Sequence, residues 1–300
     1  MYSRSHSGYA GYECGRVKKK VWRQTIDKSL IKGNTIKASC EELGYARSSY
    51  YKVRKSNEKQ EQIAITALST IRKIKQRMPN LGGKKMYKCI KKTGELEMGR
   101  DKFFRLLREH DLLVYRKAKY SVTTNSNHPF KVYKNLIKER VVTRPNEVWV
   151  SDITYLKCGD KFCYLSLITD LYSRKIVGYH VNRTLEMEGA IKALQMAYKA
   201  GSPEIHHSDR GSQYCSYKYT TQLKKRSVKI SMTEGGNCYE NAVAERLNGI
   251  LKHEFNLNAN FTSLEQAKKV AHQAIHTYNT ERPHWALDLQ IPNDVYLSAA

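Results

Sequence analysis

At 300 residues and 40% hydrophobic composition, the chain has room for about two domains, each with its own core. Its 53 Lys and Arg against 28 Asp and Glu give a net charge of +25, an excess that points to a polyanionic partner, nucleic acid first. No stretch approaches the roughly 18 apolar residues of a membrane span, and the opening residues carry no apolar signal core. Membrane and exported classes are thereby excluded, and a cytoplasmic, nucleoid-associated protein is expected.

The charge is unevenly placed: residues 1–147 carry 35 basic and 13 acidic side chains, residues 148–300 only 18 and 15. Gripping a polyanion is therefore expected of the first half and chemistry of the second. Seven cysteines (Cys14, Cys40, Cys89, Cys158, Cys163, Cys215, Cys238) form no Cys-x-x-Cys pair and are read as reduced thiols. His272 and His276 stand four apart as zinc ligands do, but no second half-site accompanies them, so they are read as ordinary helix residues.

In chain order, Asn34 or Thr35 caps a first helix with Ile36, Cys40 and Leu43 at helical spacing, which Gly44 ends. A short second helix is expected from about Ala46. Helix, glycine turn and helix outline a helix-turn-helix, with Arg47, Ser49 and Lys52 facing a major groove. A plain helical hairpin has the same outline, and the basic charge favours DNA.

From Gln60 to Leu113 the pattern stays helical, through Ile63, Ala67, Ile71 and Ile74, then Phe103, Leu106 and Leu107. Lys84, Lys85, Lys88, Lys91 and Lys92 lie between these runs, as a solvated face or as phosphate contacts. Lys117 to Asn146 is polar and weakly patterned, a linker. The resulting division is a helix-turn-helix region over 1–58, a second helical DNA-binding unit over 59–116, a linker over 117–146 and a catalytic core over 147–300.

The core opens with strands at Glu147–Leu156, Lys161–Thr169 and Lys175–Val181, an antiparallel meander. A helix over Leu185–Lys199, a strand at Glu204–His207, a helix, a strand at Val228–Ser231 and two longer helices follow, which indicates an α/β fold of five mixed strands flanked by helices.

Asp152 lies among apolar neighbours in the first of these strands, where a charge costs several kcal/mol unless paired or metal-bound. Asp209 follows the fourth strand, and the carboxyl ends of strands are where sheet enzymes gather ligands. On the helix after the fifth strand, Asn241, Glu245, Asn248 and Lys252 share one polar face, expected towards DNA, with Val243, Leu247 and Ile250 behind. Three carboxylates suit Mg²⁺, with Mn²⁺ as a substitute, and two such ions about 4 Å apart activate an attacking hydroxyl on a phosphodiester.

The segments around Asp152 (WVSDITY), Thr169 (TDLYSRKIVGY), Asp209 (HSDRGSQY), Glu245 (NAVAE) and Tyr278 (YNTERPH) together resemble the integrase-like transposases of the insertion-sequence three family, from about Asn34 onward. Thirty-five residues separate Asp209 from Glu245, the spacing that family shares with retroviral integrases. The resemblance implies an RNase H-like core, with Asp152, Asp209 and Glu245 as catalytic, metal-holding triad. It further implies cleavage and strand transfer at element ends, a homo-oligomer on DNA and a fusion with an upstream helix-turn-helix frame. Asp170 matches a non-catalytic aspartate of the family, and Glu240 stands where the family usually has Asp. A DNA-binding repressor derived from a transposase and a nuclease that only hydrolyses DNA are the competing readings.

Overall fold

The computed structural model describes residues 25–94, 97–114, 129–234 and 241–299. Cys14, Cys238 and Glu240 lie outside them, as does the segment 115–128 of the expected linker. The chain divides into two compact units, Met1–Thr66 and Ala67–Ala300, at a point inside one long helix.

In the first unit, helix α1 (25–31) and α2 (Ile36–Glu42) precede the start of α3 (Arg47–Arg77). The Thr35 side chain accepts from the Ala38 N–H and caps α2, and Gly44, at φ +68°, makes the turn that follows. Ile26, Cys40 and Tyr50 form the small core, and the Tyr50 hydroxyl donates to Asp27 at 2.8 Å. The second helix runs for 31 residues rather than ending early. No Gly or Pro interrupts positions 47–77, so the apolar run at Ile63–Ile74 continues the same helix.

The second unit is built on a six-stranded sheet in the order β3-β2-β1-β4-β5, with β6 paired to β1. β1 (Val148–Cys158), β2 (Lys161–Asp170) and β3 (Ile176–Asn182) are antiparallel, whereas β4 (Ile205–Ser208) and β5 (Lys229–Met232) run parallel to β1. This mixed sheet flanked by helices is RNase H-like. The two-residue β6 (Asn260–Phe261) adds one strand to the five expected, too short to show a period of two.

Trp149 and Ile168 pack beneath α6 (Met187–Ala197), through Ala190, Ala193, Leu194 and Ala197. The approach is close at Gly178, where a Cβ would meet the Ala193 carbonyl oxygen and come within 2.8 Å of Ala197 N. Tyr219, from α8 (Tyr217–Lys224) behind the short α7 (Ser212–Cys215), completes that layer. On the opposite face, Val148, Val150 and Ile205 meet Ala244 of α9 (Ala242–Glu254). Asp170 is fully buried and accepts from Ser173 N, Ser173 Oγ and Asn146 N within 2.7 Å, a structural staple at the end of β2.

The segment before β1 is no free tether: Met232 N donates to the Lys134 carbonyl, and Ile137 and Val142 pack on the α9 face. Helix α4 (Gly83–Lys92) packs with α5 (Arg100–Glu109), and Lys85 of α4 is buried against Glu254 at 2.7 Å. In the lysine run, therefore, Lys85 is neither solvated nor a phosphate contact. Lys92 pairs with Asp294 of α11 (Pro292–Ser298), and Lys84 lies over the Trp285 ring, 5.5 Å from its centroid.

The cysteine expectation needs correction. Cys158 and Cys163 form a disulfide, because the Gly159–Asp160 turn brings the ends of β1 and β2 together, while Cys40, Cys89 and Cys215 stay free. His272 and His276 lie on α10 (Leu264–Thr280), where His272 Nδ1 hydrogen-bonds the Tyr179 hydroxyl. Among the described residues no helix is long and apolar enough to cross a membrane.

Candidate active site

The site forms where the parallel pairing of β1 and β4 runs out. Ser151 is in register with Ser208, so the next residues, Asp152 and Asp209, emerge side by side at roughly the inter-strand spacing of 4.8 Å. Alternation along β1 puts Asp152 on the face of Val148 and Val150, the face that α9 covers.

Helix α9 is tied down at both turns that meet the strand. Asn241 Nδ2 donates to the Ser151 carbonyl at 3.3 Å, and Asn248 Nδ2 donates to Asp152 Oδ2 at 2.6 Å. The other Asp152 oxygen accepts the Ile153 N–H at 2.9 Å. Asp209 Oδ1 accepts the Gly211 N–H at 3.0 Å, and a Cβ on Gly211 would press on the same oxygen. Glu245 lies on the first turn of α9, exposed, between the two anchoring asparagines.

Burial raises the Asp152 carboxyl to about 7, helped by the neighbouring charge of Asp209 and, less, of Glu245; Ile153 N–H and Asn248 oppose the shift. Asp152 thus feels the charge of both other carboxylates. Among the described residues no three His, Cys, Asp or Glu side chains close into a finished metal cage. Asp152, Asp209 and Glu245 are nonetheless oxygen donors of the kind a hard divalent cation takes.

Of the helix residues expected on DNA, Asn241 and Asn248 are buried and turned towards β1. These two asparagines belong to the face packed on the strand, because β1 itself presents polar groups there, whereas Glu245 on the same stripe is exposed. Lys252 is half-buried with its ammonium 4.0 Å from the Tyr155 ring centroid, and burial lowers its pKa. Arg47 and Lys52 are exposed and Ser49 half-buried on the opening turns of α3.

Two groups escaped the sequence reading. Under β1, His206 Nε2 hydrogen-bonds Ser151 Oγ at 2.7 Å and Tyr219 Oη at 2.9 Å, and burial holds its pKa down to about 3, so it is neutral. Only its place immediately before the HSD run of His207–Asp209 hinted at it. At the far end of α9, Glu254 takes Arg282 Nε at 2.8 Å and Nη2 at 3.0 Å as well as Lys85, a pairing across segments that no local pattern reveals.

The sequence matches the integrase core domain family twice, over residues 142–238 and 226–292. It is 36% identical to an insertion element IS600 uncharacterized 31 kDa protein of Shigella sonnei, over 82% of this chain and 92% of that one. The HTLV-2 integrase catalytic core domain, solved in complex with magnesium, aligns with a TM-score of 0.43 and 20% identity, over 51% of this chain and 97% of that one. Transposase InsF for insertion sequence IS3A of Escherichia coli (strain K12) is 32% identical, over 83% of this chain and 90% of its own, and this chain belongs to the same family, the IS3 transposases.

Proposed function

We propose that the chain cuts and joins DNA strands at the ends of a mobile element through Asp152, Asp209 and Glu245. The observation that carries this reading is the side-by-side placement of Asp152 and Asp209 beneath the first turn of α9. The three carboxylates would hold Mg²⁺ or Mn²⁺. Bound there, the metal supplies charge neutralisation at a phosphodiester and activation of an attacking water or 3′-hydroxyl.

The protein's own part is positional. Asn248 fixes the Asp152 carboxylate through Oδ2, and the Ile153 N–H fixes Oδ1. Asn241 pins the start of α9 to β1 and so sets where Glu245 projects. Neutral His206 braces Ser151, the residue before the reacting carboxylate, without adding charge. Arg47, Ser49 and Lys52 read the element end, and a homo-oligomer holds two ends together for joining. An upstream-frame helix-turn-helix product is a further partner.

The test is strand cleavage and joining on a duplex carrying the element's own end, with Mg²⁺ or EDTA, native chain against Glu245→Gln. Joined product that needs both Mg²⁺ and Glu245 is expected. Cleaved but never joined DNA leaves a nuclease, and DNA bound by both proteins but never cut leaves a repressor.

A further inference from the structure

Tyr278 of α10 is the hub of a cationic cluster beyond the carboxylates. Its hydroxyl donates to the Arg174 carbonyl at 2.9 Å, the Arg282 guanidinium lies 5.5 Å from its ring, and the His284 ring meets it edge-on at 6.3 Å. Lys85 joins through Glu254, the carboxylate it shares with Arg282. Arg246 of α9 bears electrostatically on both Lys85 and His284.

The cluster holds more cations than its acids neutralise. Glu254 is saturated by Arg282 and Lys85. Asp170 attracts Arg174, but its oxygens are taken by Ser173 and the Asn146 N–H. Arg174 Nη1 is enclosed with no hydrogen-bond acceptor among the described residues. An enclosed donor on a charged group is costly to leave unpaired, and an anionic acceptor relieves that cost.

His284 is prepared for the same ligand. Its Nδ1 accepts the Ala286 N–H at 3.2 Å, which leaves Nε2–H as the donor of a neutral ring. Burial, followed by Arg282, Arg174, Lys85 and Arg246, drives its pKa to about 3. Arg246 is exposed, and Arg174 and His284 half-buried, so the cluster opens outward over a floor of Lys85, Glu254 and Arg282.

We propose that Arg174, Arg246 and His284 form a phosphate-binding site for the DNA backbone on the catalytic core, separate from the carboxylate triad and from the helix-turn-helix. The site rests on the reading of the chain as a DNA-binding enzyme, but not on its cutting DNA. Arg246 follows Glu245 directly on α9, so the site shares a helix with one of the three carboxylates.

The experiment measures binding of the full chain to a labelled duplex of arbitrary sequence across a series of NaCl concentrations. Removing one phosphate-binding cation lowers the slope of log K against log salt by about one. Arg246→Gln, on an exposed helix position, is expected to lower the slope by about one and weaken binding severalfold at low salt, and Arg246→Lys to restore both. Arg174→Gln on top of Arg246→Gln is expected to remove about one more. Unchanged slopes in Arg246→Gln, while Lys52→Gln in the helix-turn-helix lowers its own, would overturn the site even if Arg174→Gln failed to fold. Inorganic phosphate raising the melting temperature of the native chain but not of Arg246→Gln, with no change in DNA slope, would assign the site to a free anion and overturn it as a DNA contact. Strand joining on element-end DNA, run in parallel, reports separately on the carboxylate triad.

Discussion

Replacing Asp152 by Asn should stabilise the metal-free protein, and only at neutral and alkaline pH. The carboxyl is raised from its ordinary 3.8 to about 7, chiefly by burial and then by Asp209. A carboxyl raised in the folded state takes up protons on folding, so its charged form opposes folding above that value, and the penalty fades as pH falls towards 4. Three units at 1.36 kcal/mol each set a ceiling of about 4 kcal/mol. Half of it, at about 2–4 °C per kcal/mol for a unit of this size, raises Tm by about 4–8 °C. Scanning calorimetry in EDTA at pH 4 and pH 8 measures the difference between Asp152→Asn and native chain. A large gap at pH 8 that closes at pH 4 is expected, and Mg²⁺ should narrow it at pH 8 by stabilising only the native chain. A variant less stable than native at pH 8, or a gap independent of pH, would refute the account of a carboxyl raised by burial and a neighbouring charge.

Asn248→Ala removes the 2.6 Å bond to Asp152, and strand cleavage should fall about 10–100-fold with little change in DNA binding, as gel-based cleavage and binding assays on one preparation would show. Glu254→Gln leaves buried Lys85 and Arg282 short of a counter-charge and should cost about 3–5 kcal/mol in urea unfolding. Burial works to raise the Glu254 carboxyl, yet Arg282 and Lys85 hold it below its usual value, so its contribution is present at neutral pH and lost as pH falls through that lowered value. Native chain and Glu254→Gln should therefore converge in strong acid. Gly178→Ala forces a methyl into the Ala193–Ala197 backbone of α6 and should destabilise by about 1–3 kcal/mol or more, whereas Gly249→Ala, which meets nothing within 4 Å, should not. Circular-dichroism melts of the two variants make that comparison.

The strands were legible because β-branched and aromatic residues repeat at short range, and the meander from β1 to β3 falls within a residue or two of expectation. The carboxylates were legible through their ordered motifs, although the burial that sets Asp152 apart appears only in the fold. Periodicity showed that Asn241, Asn248 and Lys252 share a face of α9. It cannot say whether a polar face meets solvent or a polar strand, and here it meets β1. A lysine run likewise looks uniform in sequence, while Lys85 is singled out by a partner 169 residues away. The Cys158–Cys163 bond follows from hairpin register, and Arg282 in the YNTERPH run gave no sign of being fully enclosed.

Strand β1 keeps its β2 partner from Trp149 to Cys158 but loses β4 after Ser151, and β6 rejoins that edge only at Lys157 and Cys158. The sheet therefore has a notch from Asp152 to Leu156, filled by a helix rather than by another strand. Main-chain ladders are nearly indifferent to side-chain identity, whereas a helix docked in a notch is held by particular amides and carboxyls. Exchanging residues of α9 can thus alter what faces Asp152 while leaving the pairing of the sheet untouched.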